Sequence, residues 1–172
     1  FFCLTETFSQ TDFVKGYVIL NNNDTLNGYL KQNTEGDLLK AVVFSNNENG
    51  SSAKEYASTD IKAFYFNGGN FFESIHLTDV DNLPAVYFAK YILKGYYNLY
   101  SFRKKDSLYF IIKHEDTTYL LYNDAILSSG EYDTKGNYQN QFLFLSRNCS
   151  NLSYQIPQLR FSEKDFVGFL SK

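Results

Sequence analysis

The sequence has no tryptophan and no methionine, and only two prolines, two cysteines and two histidines in 172 residues. Two cysteines cannot complete a zinc site alone, and neither His76 nor His114 stands at a metal-ligand spacing from Cys3 or Cys149. No run of eighteen apolar residues exists, which excludes a transmembrane helix. Basic residues are in no excess. Sixteen Lys and Arg against nineteen Asp and Glu leave a net charge of −3, without the basic field that nucleic-acid binding needs. There is no Gly-rich phosphate loop, no GxSxG elbow and no HExxH pair, and no spacing joins Ser, His and Asp into a triad. No catalytic residue, metal ligand or cofactor is therefore assigned.

Aromatic residues are abundant. Fifteen Tyr and seventeen Phe, with 44% hydrophobic and 20% charged residues overall, describe a globular chain. Its length fits one domain, large enough to bury a core without disulfide or metal support.

The pattern from 13 to 122 is a succession of strands and turns. Asp12 to Leu20 and Thr25 to Lys31 flank the turn Asn21-Asn22-Asn23-Asp24. Ala41 to Ser45 precedes a polar loop over 46–52. Ile61 to Phe66 and Phe71 to Leu77 flank Asn67-Gly68-Gly69-Asn70. Ala85 to Leu93 and Tyr96 to Phe102 flank a tight turn at Lys94-Gly95. Leu108 to Lys113 and Thr117 to Tyr122 flank His114-Glu115-Asp116. Pro84 and Pro157 fall outside these strands.

After Asn137 the period changes. Tyr138, Phe142, Leu145 and Cys149 fall on one helical face, with Cys149 at its end. A second helix starts at Ser162 as N-cap, with Asp165 as its third residue and Phe161 and Phe166 as a hydrophobic staple. The expected fold is α+β and mainly β: an antiparallel meander, curled sheet or partly open barrel with two short C-terminal helices.

The chain opens Phe1-Phe2-Cys3-Leu4 rather than with Met. Residues 1–9 read as the remnant of a signal peptide, with Thr7 and Ser9 at the −3 and −1 positions and Gln10 as the mature N-terminus. The alternative is the first strand of a domain cropped from a longer chain. A lipoprotein signal ending at Cys3 is disfavoured by bulky Phe2. Residues 10–172 form the single domain. Phe166 to Lys172 stops in a helical pattern without a capping Gly or Asn, so the polypeptide is expected to continue.

The hairpin Lys15-Gly16-Tyr17-Val18-Ile19 and Asn22-Asn23-Asp24-Thr25-Leu26-Asn27-Gly28-Tyr29-Leu30 resembles the opening of a group of uncharacterised secreted proteins of the Bacteroidota. Asp60-Ile61-Lys62-Ala63-Phe64-Tyr65-Phe66, the stretch from Phe88 to Tyr100, and the segment from Asn137 to Cys149 are similar to later pieces of that group in the same order. The resemblance implies a secreted, periplasmic or outer-membrane-associated protein, in some members preceding an outer-membrane β-barrel. It also implies a partner cysteine for Cys149 past Lys172. It supplies no catalytic residues.

Tyr96, Tyr100 and Phe102 share one face of their expected strand and are the candidate ligand-binding residues, a stacking platform for a sugar ring or peptide. The plainer reading places such rings in the core. Asp79-Val80-Asp81-Asn82 has the flavour of a calcium loop but lacks the turn Gly and late Glu of an EF-hand. Arg103-Lys104-Lys105 is a basic tip, too short for a lipid-binding cluster. Glu73 and His76, three apart on a strand, point to opposite faces.

The expected function is a non-enzymatic cell-envelope module docking on, or fused to, an outer-membrane component. The alternatives are a ligand-binding β domain for glycan, lipid or peptide, and a hydrolase should Glu73, Glu115 and Asp116 converge.

Overall fold

The structure, a computed structural model, describes residues 12–123 and 137–172. The expected signal remnant at 1–9, with Cys3, lies outside the described residues. Ten antiparallel strands make one sheet: β1 (Phe13–Leu20), β2 (Thr25–Lys31), β3 (Ala41–Ser45), β4 (Lys54–Ala57), β5 (Ile61–Phe66), β6 (Phe71–Thr78), β7 (Pro84–Leu93), β8 (Asn98–Lys104), β9 (Ser107–His114) and β10 (Thr117–Leu121). Helices α1 (Asn137–Leu145), α2 (Ser150–Ser153) and α3 (Glu163–Leu170) follow. The mainly β, α+β expectation holds, with one strand (β4) and one short helix (α2) more than the sequence suggested. Pro84 opens β7, a strand position where the missing N–H is tolerated.

The sheet order is β4-β3-β2-β1-β5-β6-β7-β8-β9-β10. Only β1 and β5 are neighbours out of sequence. β4 ends at Ala57 and β5 begins at Ile61, yet they stand four places apart in the sheet. A flat sheet would separate them by about 19 Å. A three-residue link reaches only about 14 Å. The first half must therefore curl, and Val18, Leu30, Val42, Phe44, Tyr56, Ile61 and Phe64 from all five strands meet in one core.

A pair of glycines permits this. Gly16 stands opposite Gly28 on β1 and β2. A Cβ on Gly16 would lie 2.2 Å from the Tyr65 carbonyl oxygen, and one on Gly28 would lie 2.6 Å from the Phe44 ring. The close approach of strand and ring needs residues without side chains.

The second half curls the opposite way. Thr118 Oγ1 on β10 donates to the His76 carbonyl on β6 at 3.3 Å. Ile75, Leu77, Tyr87, Ala89, Tyr100, Phe102, Tyr109 and Ile111 fill the space between. The reverse face of β8–β10 presents Leu99, Phe110, Ile112 and Leu121 to Tyr138, Phe142, Ile156, Phe166 and Phe169 of the helical end. With cores on both faces, β9 carries four consecutive buried residues, Tyr109 to Ile112.

α3 starts as its sequence dictates. Asp165 N donates to Ser162 Oγ at 3.2 Å, and the Phe161 and Phe166 rings meet at 5.6 Å across the cap. Ser162→Ala should cost about 1 kcal/mol. A lower urea midpoint with an unchanged denaturant slope is the expected readout.

α1 differs from its expected extent. It stops at Leu145, where the Ser146 hydroxyl bonds back to the Phe142 carbonyl at 2.8 Å. Cys149 therefore lies beyond it, exposed, at the N-cap position of α2.

Candidate functional site

On β1, buried Val18 points into the first core, so Tyr17 and Ile19 point to the opposite face. The register places Ile19 beside Ala63, Ala63 beside Glu73, and Glu73 beside Ala89. Two residues along, Tyr17 stands beside Tyr65 and Tyr65 beside Phe71. The Tyr17 and Tyr65 rings are 5.3 Å apart, and Phe71 meets Tyr91 edge-on at 6.2 Å. One row thus has small side chains at Ala63 and Ala89, and the next is a wall of four half-buried rings. A cleft of about 670 Å³ opens at the end of these rows, lined by Ile19, Ala63, Phe71 and Glu73 with Asn21, Asn23, Thr59, Lys62 and His76; of the four rings, Phe71 lines it.

The polar groups around the cleft are held in place. Asn21 donates to the Thr59 carbonyl at 2.9 Å, and Lys62 donates to Asn23 Oδ1 at 2.5 Å. Glu73 accepts from Lys113 Nζ at 2.9 Å and from the Tyr100 hydroxyl at 2.8 Å. Burial, then the Glu73 carboxylate, pushes the Tyr100 phenol far above its ordinary range. Burial and Glu73 raise Tyr91 in the same sense. Both phenols are kept as neutral donors, and the Tyr91 hydroxyl donates to Asn98 Oδ1 at 3.1 Å.

A second charged cluster closes the far end of this interior. Asp79 is buried at the β6–β7 turn, and Lys104 Nζ reaches it at 2.8 Å and Asp81 at 2.6 Å. Asp79 also accepts from Tyr87 OH at 3.0 Å and from the backbone N–H groups of Asp81 and Leu83. The Lys104 ammonium, against the opposing effect of burial, holds the Asp79 carboxyl down at about 2. Asp79, then Asp81, raises Lys104.

The calcium-like loop at 79–82 is thus filled by a lysine ammonium from another strand. The basic tip at 103–105 is correspondingly dispersed. Lys104 turns inward, Arg103 lies 3.9 Å from Glu35, and Lys105 occupies the turn at a φ of 55°. Among the described residues no three of His, Cys, Asp and Glu gather to hold a metal ion. Glu115 and Asp116 form the β9–β10 turn, while Glu73 sits on β6 and lines the cleft with exposed His76.

The three candidate ligand-binding residues do not share an exposed surface. Tyr100 and Phe102 are 1% and 3% exposed and belong to the second core. Tyr96 is 76% exposed, because β8 begins only at Asn98 and Tyr96 stands in the preceding turn. There its ring lies against His114 at 4.2 Å, and His114 Nδ1 is 2.9 Å from the Tyr96 carbonyl oxygen. The half-buried rings Tyr17, Tyr65 and Phe71 stand instead on β1, β5 and β6, and Phe71 lines the cleft. Their signal was the alternation of Tyr17 with Val18 and of Tyr65 with Phe64, which marks the sheet face opposite the first core.

No protein-family model, curated protein or solved structure matches this chain. No helix among the described residues is long and apolar enough to cross a membrane.

Proposed function

We propose that this domain is a non-catalytic binding module of the cell envelope that holds a saccharide along the cleft between the two curls of its sheet. The observation that carries the reading is Phe71 lining the cleft together with Ala63, Glu73, Asn21 and Asn23, with the half-buried rings Tyr17, Tyr65 and Tyr91 continuing its row. A pyranose offers an apolar C–H face and a rim of hydroxyls. The first suits an aromatic wall. The second suits fixed amides and carboxylates such as those of Asn21, Asn23 and Glu73. The interior carboxylates support a binding role over hydrolysis, since Glu73 and Asp79 already engage lysine ammonium groups. Placement in the envelope rests on the resemblance to secreted proteins of the Bacteroidota.

The test is retention of the purified chain on insoluble envelope polysaccharide from the source cells, followed by calorimetry with soluble oligosaccharides released from it. Phe71→Ala should weaken binding about two- to tenfold, the size of a lost ring stack of ~0.5–1.5 kcal/mol, in protein that circular dichroism shows to be folded. Absence of retention, or equal retention of the variant, overturns the reading. Capture of an outer-membrane protein by a crosslinker placed at Tyr65, with no saccharide bound, would make the same face a protein-docking surface instead.

A further inference from the structure

We infer that Asn67, at the tip of the β5–β6 hairpin, is a site of spontaneous deamidation through a succinimide, with water as the co-reactant. The chain has three Asn-Gly pairs, Asn27-Gly28, Asn49-Gly50 and Asn67-Gly68. Glycine favours ring closure because no Cβ hinders its attacking nitrogen. The Gly68 nitrogen attacks Asn67 Cγ, and a new C–N bond closes an imide ring. The Cγ–Nδ2 bond breaks, and the amide group leaves as ammonia with the proton of the Gly68 N–H. Water then opens the ring at Cγ to give aspartate, or at the Asn67 main-chain carbonyl to give isoaspartate. No oxidant or reductant takes part.

The fold ranks the three pairs. Ring closure needs an unengaged glycine N–H and an asparagine amide free to approach it. Asn67 and Gly68 are exposed, and a Cβ built on Gly68 would meet nothing within 4 Å. The Asn67 main-chain N–H donates to the Lys15 carbonyl at 2.8 Å, and the Gly69 N–H donates to the Phe66 carbonyl at 2.9 Å. Between them, the Gly68 N–H and the Asn67 side-chain amide have no hydrogen-bond partner among the described residues. Asn49-Gly50 is held at both groups. Its Gly50 N–H donates to the Asn47 carbonyl at 3.0 Å, and Asn49 Oδ1 accepts from the Ser51 N–H at 2.9 Å. A Cβ on Gly50 would also stand 2.5 Å from the Phe13 ring. Asn27-Gly28 lies within β2, its backbone fixed in register against Tyr17 and Gly16.

The product changes its surroundings. Asn67 lines a cleft of about 270 Å³ in which Glu35 is the sole charged lining residue, so aspartate adds a second carboxylate there. Isoaspartate also lengthens the main chain of a turn that is closed by the Phe66 N–H and the Asn70 carbonyl at 3.2 Å.

The experiment incubates the folded chain in mildly alkaline oxygen-18 water and follows the three Asn-Gly peptides by mass spectrometry. Electron-transfer fragmentation separates aspartate from isoaspartate. Asn67 should convert first and take up one heavy oxygen. Asn49, with two hydrogen bonds to break beforehand, should be about thirtyfold slower. In the urea-unfolded chain the three pairs should convert at similar rates. Asn67→Ser should abolish the early gain of negative charge on isoelectric focusing. The inference is overturned if Asn49 or Asn27 converts first in the folded chain, or if Asn67 keeps its amide while the unfolded chain loses it. It is also overturned if the same ranking survives in urea, since neighbouring residues rather than the hairpin would then set it. None of these outcomes depends on the saccharide cleft.

Discussion

Replacing Lys104 with methionine should destabilise the fold by roughly 2–3 kcal/mol at neutral pH. Loss of one partner from a fully buried pair costs about 3–5 kcal/mol, because the remaining charge is stranded. The lower figure applies here because the Lys104 side chain keeps 21% of its surface in solvent, while Asp79 keeps 6%. The methionine preserves the packing of the aliphatic stem, so the charge is what is tested. Asp79→Asn in the same background should recover part of the loss by removing the stranded anion. Acid provides an independent check. Asp79 is lowered from an ordinary 3.8 to about 2, so its contribution is complete above about pH 4 and is lost as the pH falls through 2. Urea midpoints of the two proteins should therefore converge as the pH drops from 4 towards 2. A gap that stays constant over that interval would refute the assignment.

Phe166→Ala should cost about 3–5 kcal/mol, the range for truncating a fully buried aromatic. Its ring meets Phe110 on β9 at 4.9 Å, Phe142 on α1 at 5.0 Å and Tyr138 at 5.6 Å. It is thus the point where two helices and the sheet share one contact. Hydrogen exchange should show the amides of α1 and α3 losing protection before those of β1 and β5, which belong to the first core. Uniform loss across the sheet and helices would mean that these cores unfold as one unit. A cost below about 1 kcal/mol would mean that the surrounding rings collapse into the gap.

Most of the architecture was legible from local signals. Strand alternation, Asn and Gly turns, and the Ser162 cap with its Phe161–Phe166 staple are properties of short windows. β4 was not legible. Lys54-Glu55-Tyr56-Ala57 buries only Tyr56, and its strand character comes from pairing with β3. The β7–β8 connection failed for a related reason. The register shifts between Tyr91 and Leu93, which lengthens the turn to include Tyr96 and Tyr97. Burial of Tyr100 and Phe102 depends on the second curl, a long-range feature. The true partner of the 79–82 loop, Lys104, lies on another strand, and its direction there follows from the sheet register. The aromatic row was visible as alternation, but which face stayed open was decided by the side towards which the first half of the sheet curls.

The pairing of β1 with β5 also has a consequence in time. β2 can zip onto β1 as soon as both have left the ribosome. The other edge of β1 must wait, because Val18 finds its partner only at Phe64. At about 5–20 residues per second that interval is roughly 2–10 s. Throughout it, the strand bearing Tyr17 and Val18 presents unsatisfied backbone groups to any neighbouring chain. The nascent protein is most open to edge-to-edge aggregation in that window. A chaperone that shields the first sixty residues would raise the yield more than one acting on the helical end.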